Sequence, residues 1–203
     1  MSSLVGDYAA FRAETARLAG LIASTSVLAP AHRKLIAEIA LLRLALLIEN
    51  SMKSVFCKMS CGAMYINGNV PIVLVQQKNI PGAISAMQNL NRTKIRYSLL
   101  WNDGAEIRDN IQFVIDPADR CHQELRNHAG FLTEIRWIRN HIAHRNDNTR
   151  ANFVKLIRRY YGARVPGVTC GNLLVSPRVS PLRPLIETHI VTANVMMKDI
   201  VQA

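Results

Sequence analysis

The 203-residue sequence has few acidic residues, few aromatic residues and no long apolar run. A membrane span needs about 18–20 apolar residues, and the best candidate, Leu35 to Ile48, is short and contains Glu38 and Arg43. The first thirty residues lack the basic start of a secretory signal, and charges such as Asp7 and Arg12 interrupt their apolar pattern. These absences predict a cytoplasmic protein with reduced thiols that does not enter a membrane.

The four cysteines do not form a disulfide framework. Cys57 and Cys61 lie four residues apart on a predicted helix, so both could face one metal ion. No second ligand pair has matching spacing, because Cys121 with His122 and Cys170 are scattered. Free buried thiols are therefore the favoured interpretation, and the sequence predicts neither a metal centre nor a cofactor.

Basic residues outnumber acidic residues by 25 to 14, which gives a formal net charge of +11. A domain this basic attracts polyanions. In residues 102–203 arginine outnumbers lysine by 12 to 2, and the planar guanidinium binds phosphate oxygens better than an ammonium does. Charge alone leaves two interpretations open, a nucleic-acid partner and a basic surface that binds nothing.

Apolar residues recur at helical spacing along most of the chain, whose length suits one domain over residues 1–203. The longest predicted helix runs from Ala31 to Cys61, with Pro30 at its start. Pro71 to Val75 is a short β-branched run that fits either an edge strand or an extended segment. The sequence thus predicts an all-α bundle of six or seven helices, with a short extended segment near residues 70–75 as an open alternative.

The second half of the chain is predicted to contain four further helices and a loop. One helix precedes Asp116, which is expected to cap the next one. Residues 162–180 are rich in Gly, Pro and Ser, which favours a loop. The predicted helices are Ala105–Ile115, Pro117–His144 with a kink near Gly130, Thr149–Tyr161, and a last one from Pro181 or Pro184 to Val201.

The segment from Arg136 to Arg145 ends a predicted helix with three arginines, two histidines and one asparagine. Arg136, Asn140 and His144 are four residues apart, so we expect them to form a ridge on one side. His141 and Arg145 form a second row. One short stretch is therefore predicted to present guanidinium, imidazole and amide groups together.

These groups suit RNA cleavage without a metal ion. Imidazole exchanges a proton near neutral pH, since its ordinary pKa is about 6.5. Arginine stabilises the negative charge that builds on phosphorus, and asparagine can orient an imidazole. A ribose 2′-hydroxyl would attack the neighbouring phosphorus, leaving a 2′,3′-cyclic phosphate. Two imidazoles are needed, and either a two-fold dimer or His141 within one subunit could supply the second.

Two other interpretations of this segment remain open. Basic residues and histidines are favoured in the last turn of a helix, because they complement its macrodipole. His141 and His144 could also bind a metal, although no third ligand is evident nearby.

The run from Arg139 to His144, Arg-Asn-His-Ile-Ala-His, resembles the Arg-x4–6-His motif of the HEPN superfamily, whose members are all-α nucleotide-binding domains. The wider pattern is similar to the RiboL-PSP-HEPN branch. The matching stretches are the acidic residue embedded in the helix Leu41–Asn50, and the residues from Ile107 to Pro117 that precede the motif helix.

This resemblance implies a homodimeric endoribonuclease, a toxin or defence effector, in which the motifs of two subunits line a shared cleft. Arg139 and His144 take the catalytic positions, and Asn140 takes the polar position after the arginine. An antitoxin or regulatory partner is part of the same expectation. Some members only bind nucleic acid or protein, which is the alternative function. In one branch of the superfamily the motif continues as His-x-Tyr, and the tyrosine is the site of AMP modification. This chain has Asn146 at that position, which argues against membership of that branch.

Glu49 lies within a strongly apolar predicted helix, where an unpaired carboxylate would be costly. Arg139 or Arg136 is the natural partner, and Glu49 would then orient an arginine. The alternative is a solvent-facing pair with Lys53 at i+4.

Arg145 and a second basic stretch are further candidates for contacts with RNA. Tyr97 and Trp101 within that stretch could stack on bases. A solvated loop with its aromatic rings in the core is the alternative. The basic candidates of the second stretch are Arg92, Lys94 and Arg96.

Overall fold

The computed structural model describes residues 3–177, 179 and 182–203, and α-helices make up most of this part of the chain. The all-α prediction is confirmed, but the described residues form nine α-helices rather than six or seven. They are α1 Val5–Ser24, α2 Pro30–Ser60, α3 Ile80–Asn89, α4 Gly104–Ile111, α5 Arg120–Asn127, α6 Ala129–Ala143, α7 Asp147–Tyr161, α8 Cys170–Val175 and α9 Leu185–Gln202.

Helix α2 forms the centre of the bundle, as its continuous apolar pattern predicts. It packs against α1, α3, α6, α8 and α9. Pro30 stands in its first turn, where the missing N–H costs little. Gly62 follows its end with a φ of 88°, a left-handed conformation that glycine adopts without strain. The predicted helix Ala31–Cys61 is therefore correct to within a residue at each end.

The predicted helix Pro117–His144 with a kink near Gly130 is correct only in part. The chain instead forms α5 and α6, which are separated at His128. The carboxylate of Asp119, rather than that of Asp116, caps α5 by accepting the Cys121 N–H at 2.9 Å. Likewise α4 ends at Ile111, and the following residues turn to meet the extended segment. The kink predicted near Gly130 lies two residues from the break at His128, whereas the early end of α4 was not predicted.

A short helix, α8, lies within the predicted loop 162–180. Thr169 caps it by accepting the Asn172 N–H at 3.1 Å. A Cβ on Gly171 would lie 2.9 Å from the Lys34 carbonyl oxygen, so glycine permits α8 to approach α2 closely. Residues 178 and 180 of that predicted loop lie outside the described residues. Of the two proposed starts for the last helix, Pro181 also lies outside them, and Pro184 directly precedes α9.

The segment at residues 70–75 is extended and forms no strand. The Leu74 N–H donates to the Val114 carbonyl at 2.8 Å, and the Asp116 N–H donates to the Ile72 carbonyl at 2.8 Å. Such an isolated bridge satisfies a few backbone groups without building a ladder. In the described part of the chain, no helix combines the length and the apolar composition that crossing a membrane requires.

Candidate functional site at the end of helix α6

Helix α6 carries the predicted motif and is fixed to the bundle by one apolar stripe. Ile135 and Ile138 are buried, and α6 packs against α2 and α7. The helix ends at Ala143, and His144 follows in an extended conformation with a φ of −139° and a ψ of 92°. The motif therefore spans a helix terminus, with its first residues on the helix and its last one beyond it.

Arg139 and Asn140 contact each other directly. Arg139 Nη1 donates to Asn140 Oδ1 at 3.0 Å. Both side chains are half-buried, and Arg139 borders a narrow crevice together with Glu49 and Asn102. The crevice has a volume of about 10 Å³, room for no more than one water molecule. The guanidinium is thus held at the edge of the core rather than free in solvent.

Glu49 has a different partner from those expected. The Asn102 side-chain amide donates a hydrogen bond to its carboxylate. Among the ion pairs of the described residues, none joins Glu49 to Arg139, Arg136 or Lys53, so both expected pairings are wrong. Asn102 comes from the loop before α4, and the sequence gives no sign that this loop passes between α2 and α6.

Arg136 forms an ion pair with the same loop. Its Nη2 lies 2.9 Å from Asp103 Oδ2, and its buried Nε has no hydrogen-bond partner in the described structure. Arg136 also borders the crevice beside Glu49. The predicted supporting residues Arg136 and Glu49 therefore do surround Arg139, although they do not pair with each other.

His144 is exposed, and only its backbone is fixed. Its N–H donates to the Asn140 carbonyl at 2.8 Å, and its own carbonyl accepts from the Thr149 hydroxyl and from the Asn146 N–H. The imidazole makes no hydrogen bond to the described residues. Because His144 lies past the last helical turn, the predicted ridge of Arg136, Asn140 and His144 does not continue to its third member.

His141 faces a different side of α6 from Arg139. Its ring stacks on Phe153 with centroids 4.5 Å apart and planes 14° apart. Its Nδ1 lies 3.4 Å from the Thr149 hydroxyl. Burial lowers the pKa of His141, and the charges of Arg145 and Arg150 lower it further. Arg145 borders the same cavity as His141, which agrees with the predicted second row.

The second basic stretch divides into paired and free cations. Arg92 donates to the Met87 carbonyl and pairs with Asp109 at 3.0 Å, while Arg96 pairs with Asp109 and Glu106. Lys94 is exposed. The two arginines therefore form ion pairs within the protein, whereas Lys94 is exposed to solvent.

The two aromatic rings of this stretch also separate. Trp101 is buried and stacks on Phe56 with centroids 6.3 Å apart. Tyr97 is 84% exposed. Of the two rings proposed to stack on bases, only that of Tyr97 can be reached from solvent.

The free thiols do not form a metal-binding group within the described residues. Burial raises the pKa of Cys57 to about 11, which disfavours the thiolate that a metal would need. The described groups that could hold a metal ion comprise Glu124, His128 and Asp199, whose ligand atoms lie within 4.8 Å of one another.

Sequence reasoning missed a buried polar cluster around Glu134, in the middle of α6. Glu134 accepts a hydrogen bond from the Tyr160 hydroxyl and lies 3.3 Å from Arg159 Nη1. His189 Nε2 lies 3.3 Å from the Glu134 carboxylate. The sequence signal for this cluster was a single acidic residue within an amphipathic helix, which is the same kind of signal that singled out Glu49.

Comparison with models of known protein families, with curated proteins and with solved structures finds no match to this chain.

Proposed function

We propose that the protein is a metal-independent endoribonuclease of HEPN type that acts as a homodimer. The observation that carries this proposal is the contact of Arg139 with Asn140 beside the exposed His144, at the end of one helix. The net charge of +11 favours a polyanionic substrate. The resemblance of the Arg139–His144 segment to the HEPN motif supports the same function.

The proposed reaction needs two proton transfers and one cation. The neutral imidazole of His144 takes the proton of the ribose 2′-hydroxyl, whose oxygen attacks the neighbouring phosphorus. The bond to the 5′-oxygen breaks, and a second imidazole protonates that leaving oxygen. Arg139 stabilises the charge on the phosphoryl oxygens, and Asn140 orients Arg139. The product is a 2′,3′-cyclic phosphate and a free 5′-hydroxyl.

The position of His141 favours a second copy of the chain as the source of the second imidazole. His141 stacks on Phe153, and its cavity is bordered by Glu38, whereas Arg139 borders the crevice beside Glu49. Glu38 and Glu49 are eleven residues apart on α2, about 16 Å along its axis. The exposed His144 of a second copy could approach Arg139 more easily than His141 of the same chain, because the ring of His141 is stacked on Phe153. Dimerisation therefore belongs to this proposal.

The test is cleavage of a labelled RNA by the purified protein in the presence of EDTA. We expect cyclic-phosphate products, and a loss of rate of at least about 100-fold in His144→Ala, since general acid–base catalysis contributes about 10²–10⁴-fold. His32→Ala is the matched control, because His32 is an exposed histidine on α2 outside the motif. Cleavage by His144→Ala at the rate of the control would overturn the proposal.

A non-catalytic nucleic-acid-binding module is the second candidate. It is favoured by the His144 imidazole, which no described residue holds in place by a hydrogen bond. This function predicts RNA binding that weakens steeply with salt, no cleavage, and indifference to His144→Ala. A role as toxin or defence effector, and an antitoxin partner, follow only from the first candidate.

A further inference from the structure

The packing of α5 against α9 brings three metal-ligating side chains together. Glu124 and His128 lie four residues apart at the end of α5, so they share one face. Asp199 comes from α9, 71 residues beyond His128 in the chain. The ligand atoms of the three side chains all lie within 4.8 Å of one another. We call these three residues the α5–α9 group.

The distances within the α5–α9 group suit a shared ion. His128 Nε2 lies 2.8 Å from Asp199 Oδ2. Two ligand atoms on one zinc ion, each about 2.0–2.2 Å from it, are about 3.0–3.6 Å apart. An ion therefore fits between these two side chains after a small separation, and Glu124 has to move inward by less than about 2 Å.

The local charge at the α5–α9 group favours a cation. Two carboxylates accompany one imidazole, and the last carbonyl groups of α5 add the partial negative charge of a helix C-terminus. The competing cation is Arg120, whose Nε lies 3.5 Å from Glu124 Oε1. Because the Arg120 side chain is 70% exposed, its guanidinium can turn into solvent when an ion binds, at little cost in free energy.

Neighbouring side chains hold the ligands of the α5–α9 group in place. The Asn127 side-chain amide donates to Glu124 Oε2 at 3.0 Å, and its own oxygen accepts from the Gln123 amide at 2.9 Å. Hydrogen bonds of this kind orient a ligating carboxylate before an ion arrives. Of the three ligands, the side chain of Asp199 is the most exposed, so an ion can enter from its side.

We propose that Glu124, His128 and Asp199 bind one Zn²⁺ ion, with water completing its coordination. The imidazole nitrogen selects the class of ion, because Mg²⁺ and Ca²⁺ prefer oxygen ligands, whereas imidazole with carboxylates suits zinc. The group offers three protein ligands, which leaves a position for water. His128 divides α5 from α6, so the ion ties α9 to the start of the helix that carries Arg139.

The proposed ion is remote from the proposed cleavage site and takes no part in cleavage. His128 precedes α6, and Arg139 lies eleven residues further on, about 16 Å along the helix axis. This inference therefore does not rest on the ribonuclease function. Zinc binding by a chain that cuts no RNA would refute the ribonuclease alone, and RNA cleavage by a chain that binds no zinc would refute the zinc site alone.

The test is calorimetric titration with zinc chloride of the full chain, which is first freed of metal ions with EDTA and then transferred to buffer without EDTA. We expect one tight site per chain, with Mg²⁺ and Ca²⁺ at least about 100-fold weaker. His128→Gln and Asp199→Asn should each weaken zinc binding at least about ten-fold, since even groups that only orient a ligand contribute about 10–100-fold. His32→Gln is the matched control, because His32 is exposed on α2 and lies outside the group.

Two further measurements address the ligands themselves. At a free concentration about 100 times its dissociation constant, zinc should raise the thermal unfolding midpoint of the wild type by about 5–10 °C. In His128→Gln zinc should leave the midpoint unchanged, and the midpoint of the metal-free variant shows that it folds. In NMR spectra of the wild type, zinc should shift the ring signals of His128 and leave those of His32 in place.

Four results would each overturn the proposal. They are no zinc binding by the wild type, equal affinity for Mg²⁺, unchanged zinc affinity in folded His128→Gln and Asp199→Asn, and an equal loss of affinity in His32→Gln. The first and the third would leave the contact between His128 and Asp199 as an ion pair only.

Discussion

Helix α6 and the residue that follows it treat their polar side chains in opposite ways. Within the helix, the buried carboxylate of Glu134 is held by Tyr160 and Arg159. Just past the helix end, the His144 imidazole is exposed and has no hydrogen bond to the described residues. A buried charge needs hydrogen-bonding partners for the fold to be stable, and Glu134 has them. An exposed imidazole without such partners adds little to the free energy of unfolding. Polar residues that the fold does not use are those most available for chemistry.

The largest expected effect on stability separates these two positions, Glu134 and His144. Glu134→Ala leaves the Tyr160 hydroxyl and the Arg159 guanidinium without their shared acceptor, so the free energy of unfolding should fall by about 3 kcal/mol. His144→Ala should change it by less than about 0.5 kcal/mol. Denaturant unfolding of both variants measures the difference. Equal losses in the two variants would contradict the contrast between the two positions.

A pH dependence of intermediate size is expected from His189, which packs against Glu134 and Phe131. Burial lowers the pKa of His189 to about 3, whereas the unfolded chain should show the ordinary value of about 6.5. The unfolded state therefore binds a proton as the pH falls below 6.5, and the folded state does not. This contribution is fully present above pH 6.5 and declines toward pH 3, by about 1.4 kcal/mol at pH 5.5.

Comparison with His189→Leu isolates this contribution. Burial raises the pKa of Glu134, which acts in the opposite direction as the pH falls, so the wild-type profile contains both effects. The variant should lose less unfolding free energy than the wild type between pH 7.5 and pH 5.5. The same slope in both proteins would show that His189 is protonated in the folded state.

The smallest expected effects repeat the contrast within the second basic stretch. Arg92→Ala removes an ion pair and a backbone hydrogen bond, so it should lower the unfolding free energy by about 1 kcal/mol and leave RNA affinity nearly unchanged. Lys94→Ala should leave stability unchanged and reduce the salt dependence of RNA binding by about one counterion. Filter binding over a salt series measures this, and the reverse pattern would make Arg92 the contact with RNA.

Much of the helical structure could be predicted because its signals are local. The central helix and its limits at Pro30 and Gly62 follow from apolar spacing and two backbone-restricting residues. A kink was predicted near Gly130, where the chain in fact divides into two helices at His128, and the short helix α8 was missed. Both α5 and α8 begin at a capping residue, Asp119 and Thr169 respectively, whose side chain accepts a backbone N–H two or three residues further on. Apolar spacing does not reveal such caps.

The composition of the candidate site was accessible from sequence, but its arrangement was not. Spacing places His141 and Arg145 in a second row, and the two residues do border one cavity. Spacing also placed His144 on the ridge with Asn140, which the helix end at Ala143 prevents. The partners of Glu49 and Arg136 come from the loop at Asn102 and Asp103, some fifty and thirty residues distant along the chain.

The sequence by itself determined the helical class, the positive charge and the concentration of arginine, histidine and asparagine at one helix end, because helical periodicity and composition act over a few residues. Only the tertiary structure decided which of these groups are neutralised and which stay free. That choice depends on loops that bring distant carboxylates and amides beside them. Both outcomes occur in one short stretch, where Arg96 pairs with Asp109 and Lys94, two residues before it, is exposed.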